Sequence, residues 1–137
     1  MLDVSAHIVR GDFALEVSFS SDARITCLFG RSGAGKTTVA EVVAGLVRPS
    51  CGRVMLNGEA LFDSDTGQSV PVWKRRIGYV FQDARLFPHM TVRDNLLYGP
   101  RRSGDPDPAL DEAVALLGLE GLLERGPSSL SGGEARR

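Results

Sequence analysis

Cysteine is scarce in this sequence. Only Cys27 and Cys51 occur, too few for a disulfide framework and at a spacing that fits no metal-ligand motif. Cys27 lies in an apolar run and reads as a small buried hydrophobe. Cys51, beside Pro49, Ser50 and Gly52, reads as a turn residue. Long hydrophobic runs are missing as well: none approaches the roughly eighteen apolar residues that read as a membrane span. Met1-Leu2-Asp3-Val4 has neither the basic start nor the apolar stretch of a signal peptide, so the cytoplasm is the expected compartment. Charge of one sign is not in excess. Sixteen Lys and Arg against seventeen Asp and Glu leave a net charge of -1, so no global field draws the chain to nucleic acid or anionic lipid. The two histidines, His7 and His89, lack metal-ligand spacing and read as structural. What remains is a chain long enough for one domain or most of one, with the composition of a soluble globular protein.

The order of patterns along the chain is informative. Leu2, Val4 and Ile8 alternate loosely with polar residues. Phe13, Leu15, Val17 and Phe19 alternate cleanly. A period of two predicts antiparallel strands with one wet face, turning at Gly11-Asp12. Ile25-Thr26-Cys27-Leu28-Phe29 is apolar without alternation, which predicts a strand buried on both faces. A helix is expected over Thr37 to Leu46, with Val39, Val42, Val43 and Leu46 on one side and Pro49 and Gly52 beyond its end. Arg53 to Leu56 reads as a strand before an Asn57-Gly58 hairpin turn. Asp63 to Ser69 reads as a loop. Ile77 to Phe81 reads as a second buried strand, with Lys74 to Arg76 as a solvated edge before it. Thr91 to Tyr98 reads as a short capped helix, and Gly99 to Pro108 as a loop. An amphipathic helix opening at Asp107 or Pro108 should carry Leu110, Val114, Leu117 and Leu119 on one side. Pro127 to Ser129 reads as a linker. Strands, a βα unit, more strands and then helices make an α/β chain with a helical appendage.

The strongest chemical signal is Gly30-Arg31-Ser32-Gly33-Ala34-Gly35-Lys36-Thr37, the spacing G-x-x-x-x-G-K-[ST] of a phosphate-binding loop. Phosphate oxygens need several backbone N–H donors at close range. Gly30, Gly33 and Gly35 permit backbone conformations and approaches that a Cβ would block. The following helix turns its N-terminus to the same place. Lys36 supplies a point charge for the β and γ phosphates, and the Thr37 hydroxyl suits Mg²⁺. Thr38 adds a donor for the α-phosphate. A loop of this kind does not by itself separate kinases, GTPases, transporters and helicases.

Leu130-Ser131-Gly132-Gly133-Glu134 narrows the class. By itself it is a Ser N-cap with Glu three residues on, a capping box. Far downstream of a phosphate loop it resembles the signature sequence of ATP-binding cassette ATPases, which opens a helix and meets the γ-phosphate held by another subunit. Gln82, at the end of Ile77 to Phe81, is similar to the family's Q-loop glutamine. The resemblance gives it contacts to Mg²⁺ and the attacking water, and makes Gln82 and Lys36 the catalytic candidates. The stretch Lys74 to His89, with Asp83-Ala84-Arg85, and the loop interior Arg31-Ser32-Gly33-Ala34 look like the ATPases of molybdate importers. The resemblance covers Leu2 to Arg137.

The resemblance implies a P-loop fold with an antiparallel β subdomain, a mixed or parallel core sheet and a helical subdomain. It divides the chain into 1–81, with the β subdomain and phosphate loop, and 82–137, with Q-loop, helices and signature. The sequence reads as an N-terminal fragment cut before the Walker B strand, whose Asp and the Glu after it serve Mg²⁺ and water in the family. Nucleotide binding without turnover is therefore expected. The longer protein would bind ATP and Mg²⁺, pair with a second copy, and sit peripherally on the cytoplasmic face of the membrane. There it would drive an integral-membrane permease supplied by a periplasmic binding protein. The permease would be received around Gln82 to Val92, where His89 also lies. No nucleic-acid partner is expected, since Trp73-Lys74-Arg75-Arg76 lacks continuing aromatic interleaving. The alternatives are an importer ATPase for sulfate, iron or polyamine, or a soluble cassette protein without a permease. Phe13 is a candidate to stack on adenine, equally suited to a plain packing role.

Overall fold

Strict alternation builds the first hairpin. β1 (Leu2–Arg10) and β2 (Phe13–Ser21) pair antiparallel in unbroken register, with Val4 opposite Phe19, Ala6 opposite Val17 and Ile8 opposite Leu15. Gly11, at φ 58, makes the turn that the sequence predicts. The apolar residues of both strands thus share one face of the hairpin. In the computed structural model, which describes residues 1–103 and 110–137, the chain forms two units, Met1–Tyr79 and Val80–Arg137.

In the first unit three further strands extend the sheet. β3 (Cys51–Leu56), β4 (Glu59–Asp63) and the short β5 (Gln68–Ser69) complete the order β2-β1-β3-β4-β5, antiparallel throughout. Asn57 and Gly58, both at positive φ, form the hairpin turn between β3 and β4. α1 (Lys36–Ala44) packs Val42 into the core formed by Val4, Ala6, Ile8, Val54, Leu61 and Phe62. Burying a Val or Ile side chain fully is worth about 1.5–3 kcal/mol. Val4, Ile8, Val42 and Val54 are the most deeply buried, so they hold α1 on the sheet.

Several sequence expectations are corrected here. Ile25 to Phe29 and Ile77 to Phe81 form no strand among the described residues. Ile25 is 80% exposed, Phe29 103% and Val80 96%. A strand buried on both faces needs a ladder neighbour on each side, and neither segment has one, so the apolar run alone does not make a strand. The sheet is accordingly the antiparallel one only. Cys27 is exposed for the same reason, and Cys51 is an exposed strand residue opening β3. The stretch read as a loop from Asp63 to Ser69 contains the last residue of β4 and the edge strand β5. The helix ends at Ala44, before Leu46. Gly45, at φ 84, closes it with Gly45 N–H donating to Val42 O at 3.1 Å and Leu46 N–H to Glu41 O at 2.8 Å. This left-handed cap leaves Leu46 42% exposed.

The second unit is helical. α2 (Val92–Ser103) opens at Thr91, whose Oγ1 accepts from Asp94 N at 3.1 Å. Its first N–H groups are taken by distant carbonyls: Val92 N donates to Arg125 O and Arg93 N to Leu123 O, both at 2.9 Å. The expected loop from Gly99 is helical as far as Ser103, because the helix continues through Gly99 and Pro100. The remainder of that loop, and the helix start at Asp107 or Pro108, lie outside the described residues. α3 (Leu110–Leu117) buries Val114 against Leu119 and Leu122, with Leu110, Leu123 and Leu130 packed alongside. Leu117 is instead 40% exposed and Leu119 lies beyond the helix, past Gly118 at φ 63. Pro127 to Ser129 is a single 3₁₀ turn, and α4 (Gly132–Arg136) follows.

Candidate functional site

The loop Gly30 to Gly35 sits between an exposed irregular segment and α1. Gly33 is at φ 80 and Gly35 at φ 90, backbone that side-chain-bearing residues rarely adopt. Gly35 is also tightly placed. A Cβ there would come within 2.6 Å of Leu15 Cδ2 and 3.3 Å of Phe13 Cζ, so the loop rests directly on β2. Phe13 thus packs against the loop, half-buried. Val39 N–H donates to Gly35 O at 2.9 Å, the first helical bond of α1.

The helix N-terminus is open. Gly35 provides no side-chain cap and the first turn holds no acidic residue. The leading N–H groups of α1 therefore keep their partial positive charge for a ligand. Lys36 Nζ folds back over the loop, donating to Gly30 O at 2.9 Å and Arg31 O at 2.8 Å. Its ammonium therefore stands inside the loop beside the open helix end. Arg31, Ser32 and Thr37 are exposed, and Thr38 is half-buried. A cation, an uncapped helix start and glycine-shaped backbone in one place are an arrangement suited to an anion the size of a phosphate group. The donor set fits a nucleotide phosphate chain, with the exposed Thr37 hydroxyl available to Mg²⁺. Among the described residues no cluster of three His, Cys, Asp or Glu could hold a metal.

The other candidates belong to the second unit. Gln82 is exposed at a bend, close in sequence to a stacked pair in which Arg85 lies 4.2 Å from the Phe81 ring centroid. Ser131 is the N-cap of α4 and makes the full capping box. Its Oγ accepts from Glu134 N at 3.2 Å, and its own N–H donates to Glu134 Oε2 at 2.7 Å. The hydrogen bonds from the Ser131 backbone, then from its hydroxyl, hold the Glu134 carboxyl below its ordinary pKa, against a smaller opposing effect of burial. Gly132 and Gly133 form the exposed first turn of α4, and Leu130 packs on the Val114 cluster.

One residue in the first unit overturns its sequence reading. Arg75 is no solvated edge: it is 7% exposed. Nη1 donates to Val42 O at 2.9 Å and Val43 O at 2.8 Å, Nε to Val70 O at 2.9 Å, and Nη2 to Leu61 O at 3.3 Å. Burial lowers its pKa. Lys74 and Arg76 are exposed as expected. Asn95 was likewise without a sequence signal. Its side chain accepts from Phe87 N at 2.7 Å and donates to Phe87 O at 3.2 Å and Thr91 O at 2.9 Å, so it ties the segment after Gln82 to α2. Neither residue belongs to a local pattern, because each acts on carbonyls that folding brings to it.

Residues 15–137 match the model of a protein family described as ABC transporter. The chain belongs to the ABC transporter family. It is 48% identical over 141 residues to the molybdenum import ATP-binding protein ModC of Rhizobium meliloti (strain 1021), an alignment covering 99% of this chain and 39% of that protein. It is 52% identical over 128 residues to the protein of the same name from Rhizobium johnstonii, covering 91% of this chain and 36% of the relative. This ABC transporter chain thus spans well under half the length of those relatives. Its fold is that of an ATP-binding cassette. It superposes on an ATP-binding subunit of an ABC transporter with a TM-score of 0.76 at 23% identity, covering 98% of this chain and 57% of that one. A dimeric ATP-binding cassette in a post-hydrolysis state, bound to ADP and Pi, gives 0.72 at 23% identity over 98% of this chain and 65% of that one.

Proposed function

We propose that this chain is part of the ATP-binding subunit of an importer for molybdate or a related oxyanion. The observation that carries the reading is the near-complete alignment, at about half identity, to molybdenum import ATP-binding proteins. The phosphate loop supplies the chemistry. Gly30, Arg31, Ser32, Gly33, Ala34 and Gly35 would wrap the phosphates with backbone donors. Lys36 would leave the carbonyls of Gly30 and Arg31 to neutralise the β and γ groups. Thr37 would hold Mg²⁺, Thr38 would meet the α-phosphate, and Gln82 would serve turnover. Mg²⁺ would supply charge neutralisation between the phosphates. Leu130, Ser131, Gly132, Gly133 and Glu134 would present the start of α4 to the nucleotide of a second copy.

In this reading the working unit is a pair of copies, each phosphate loop facing the other's signature. They would lie at the cytoplasmic face of the membrane against a permease fed by a periplasmic binding protein. The units Met1–Tyr79 and Val80–Arg137 would serve as nucleotide-gripping and partner-facing parts. Among the described residues no helix is long and apolar enough to cross a membrane.

The test has two levels. The 137-residue chain is expected to bind MgATP in calorimetry, and Lys36→Ala should weaken binding at least tenfold, about 1.4 kcal/mol. The same chain is expected to release phosphate from ATP no faster than buffer. Equal binding by wild type and Lys36→Ala would remove the phosphate-loop reading. Cargo is tested in cells through the longer protein. Molybdate uptake should fail when Lys36 is replaced, and competition by tungstate but not by iron or polyamine would place the cargo among oxyanions.

A further inference from the structure

The open start of α1 has a counterpart at its other end. The last turn of α1 contains no basic residue of its own, although its terminal carbonyls carry the negative end of the helix dipole. Arg75 supplies the missing cation from more than thirty residues downstream. Its guanidinium donates to Val42 O and Val43 O in that last turn, and to Leu61 O in β4 and Val70 O just after β5. Among the described residues no carboxylate pairs with it. A buried arginine without an acidic partner is costly unless its donors are taken. Here main-chain carbonyls of α1, of β4 and of the residue after β5 take them, so the guanidinium joins α1 to the edge of the sheet. A planar fork does this, and a single ammonium point cannot reach all the acceptors at once.

The seat for this group is built at Gly45. A Cβ on Gly45 would come within 2.6 Å of Arg75 Nε and 2.7 Å of Cζ. The glycine that ends α1 is thus also the wall against which the guanidinium lies. Val42 and Val43 lie six and seven residues after Lys36, so the clamp is roughly 10 Å along the helix from the phosphate loop at 1.5 Å per residue. A helix pinned at one end moves as a rigid rod, and the group at its other end is Lys36.

We propose that Arg75 is a positioning residue of the phosphate loop, setting the pose of α1, and so of Lys36 and Thr37, from the helix's far end through the carbonyls of Val42 and Val43. The inference rests on the phosphate-loop reading for its functional consequence. It concerns main-chain geometry that can be measured without nucleotide.

The experiment uses the 137-residue chain with Arg75→Met, Arg75→Lys, Gly45→Ala and the double variant Gly45→Ala/Arg75→Met. Gly58→Ala, in the β3–β4 turn with nothing within 4 Å of the added Cβ, controls for lost stability. Arg75→Met is expected to raise the Kd for MgATP at least tenfold at a temperature where all variants are folded, with Gly58→Ala at the wild-type value. Gly45→Ala, which displaces the guanidinium with Arg75 still present, should weaken binding similarly. The double variant should be no worse than Arg75→Met, because both changes remove one interaction. Arg75→Lys should fall between wild type and Arg75→Met, and it carries the test if Arg75→Met does not fold. Without nucleotide, the backbone amide resonances of Gly33 to Thr37 should shift in Arg75→Met and stay put in Gly58→Ala. Unshifted amides, or a Kd changed no more than in Gly58→Ala, would overturn the proposal. If Lys36→Ala and wild type bind MgATP alike, the phosphate-loop reading fails separately, and the amide shifts alone decide the role of Arg75.

Discussion

At the scale of single residues, the site is made of groups whose neighbours determine their chemistry. Lys36 is held on two carbonyls and Ser131 inside a capping box. Glu134 links that box to pH. Its carboxyl is held below the ordinary value of 4.5. A depressed carboxylate pKa contributes stability that is fully present above the unfolded value and is lost as pH falls through the folded value. The start of α4 should therefore loosen as pH falls below the ordinary glutamate value. The Ser131 amide proton is expected to titrate below pH 4.5 by NMR, and Glu134→Gln should abolish that titration while keeping an acceptor oxygen. An amide that titrates at or above the ordinary value would contradict the assignment. The Ser131 cap and Glu134 partner were legible in the sequence, since a capping box is a local pattern. Arg75 was not. A basic run is usually a wet face, and only the carbonyls gathered by folding make Arg75 the exception.

At the scale of elements, what was legible depended on whether an element carries its own partner. β1 and β2 were readable because alternation names a wet face and a dry face within one hairpin. α1 was readable for its apolar side, although Gly45 stopped it before Leu46. The sheet depends on one close approach that periodicity does not reveal. Gly52, at φ 114, lies opposite Ala6, and a Cβ there would collide with Ser5 O and the Ala6 Cα. Gly52→Ala should cost about 2–5 kcal/mol from backbone strain and overlap together. Gly58→Ala provides the comparison. Its φ of 86 is also left-handed, but a Cβ would meet nothing within 4 Å, so about 1–2 kcal/mol of conformational strain is expected. Urea unfolding of both variants checks this, and equal losses would mean that the β1 contact contributes nothing.

At the scale of the whole molecule, the apolar segments around residues 25–29 and 77–81 stand out. Within them Phe29 and Val80 present apolar side chains to water, and such surface favours self-association. Phe29 and Val80 bury almost nothing. Phe29→Ser together with Val80→Ser should therefore reduce self-association in light scattering while leaving the melting temperature within about 2 °C, since neither side chain contributes packing. A large drop in melting temperature would show that these residues are packed in solution.

The sequence by itself determined the phosphate loop, the capping box at Ser131 to Glu134, the first hairpin and the order in which these occur. Each is a short-range pattern whose physics lies within a few residues of chain: glycines where a Cβ is excluded, a serine before a helix, apolar residues every second position. Only the tertiary structure decided which apolar runs become strands, that the sheet is antiparallel throughout, and that Arg75 holds the far end of the helix that Lys36 begins. Those outcomes depend on partners distant in sequence. A strand exists only if another backbone meets its N–H and C=O groups, and a buried charge is tolerated only where folding has brought enough acceptors to surround it.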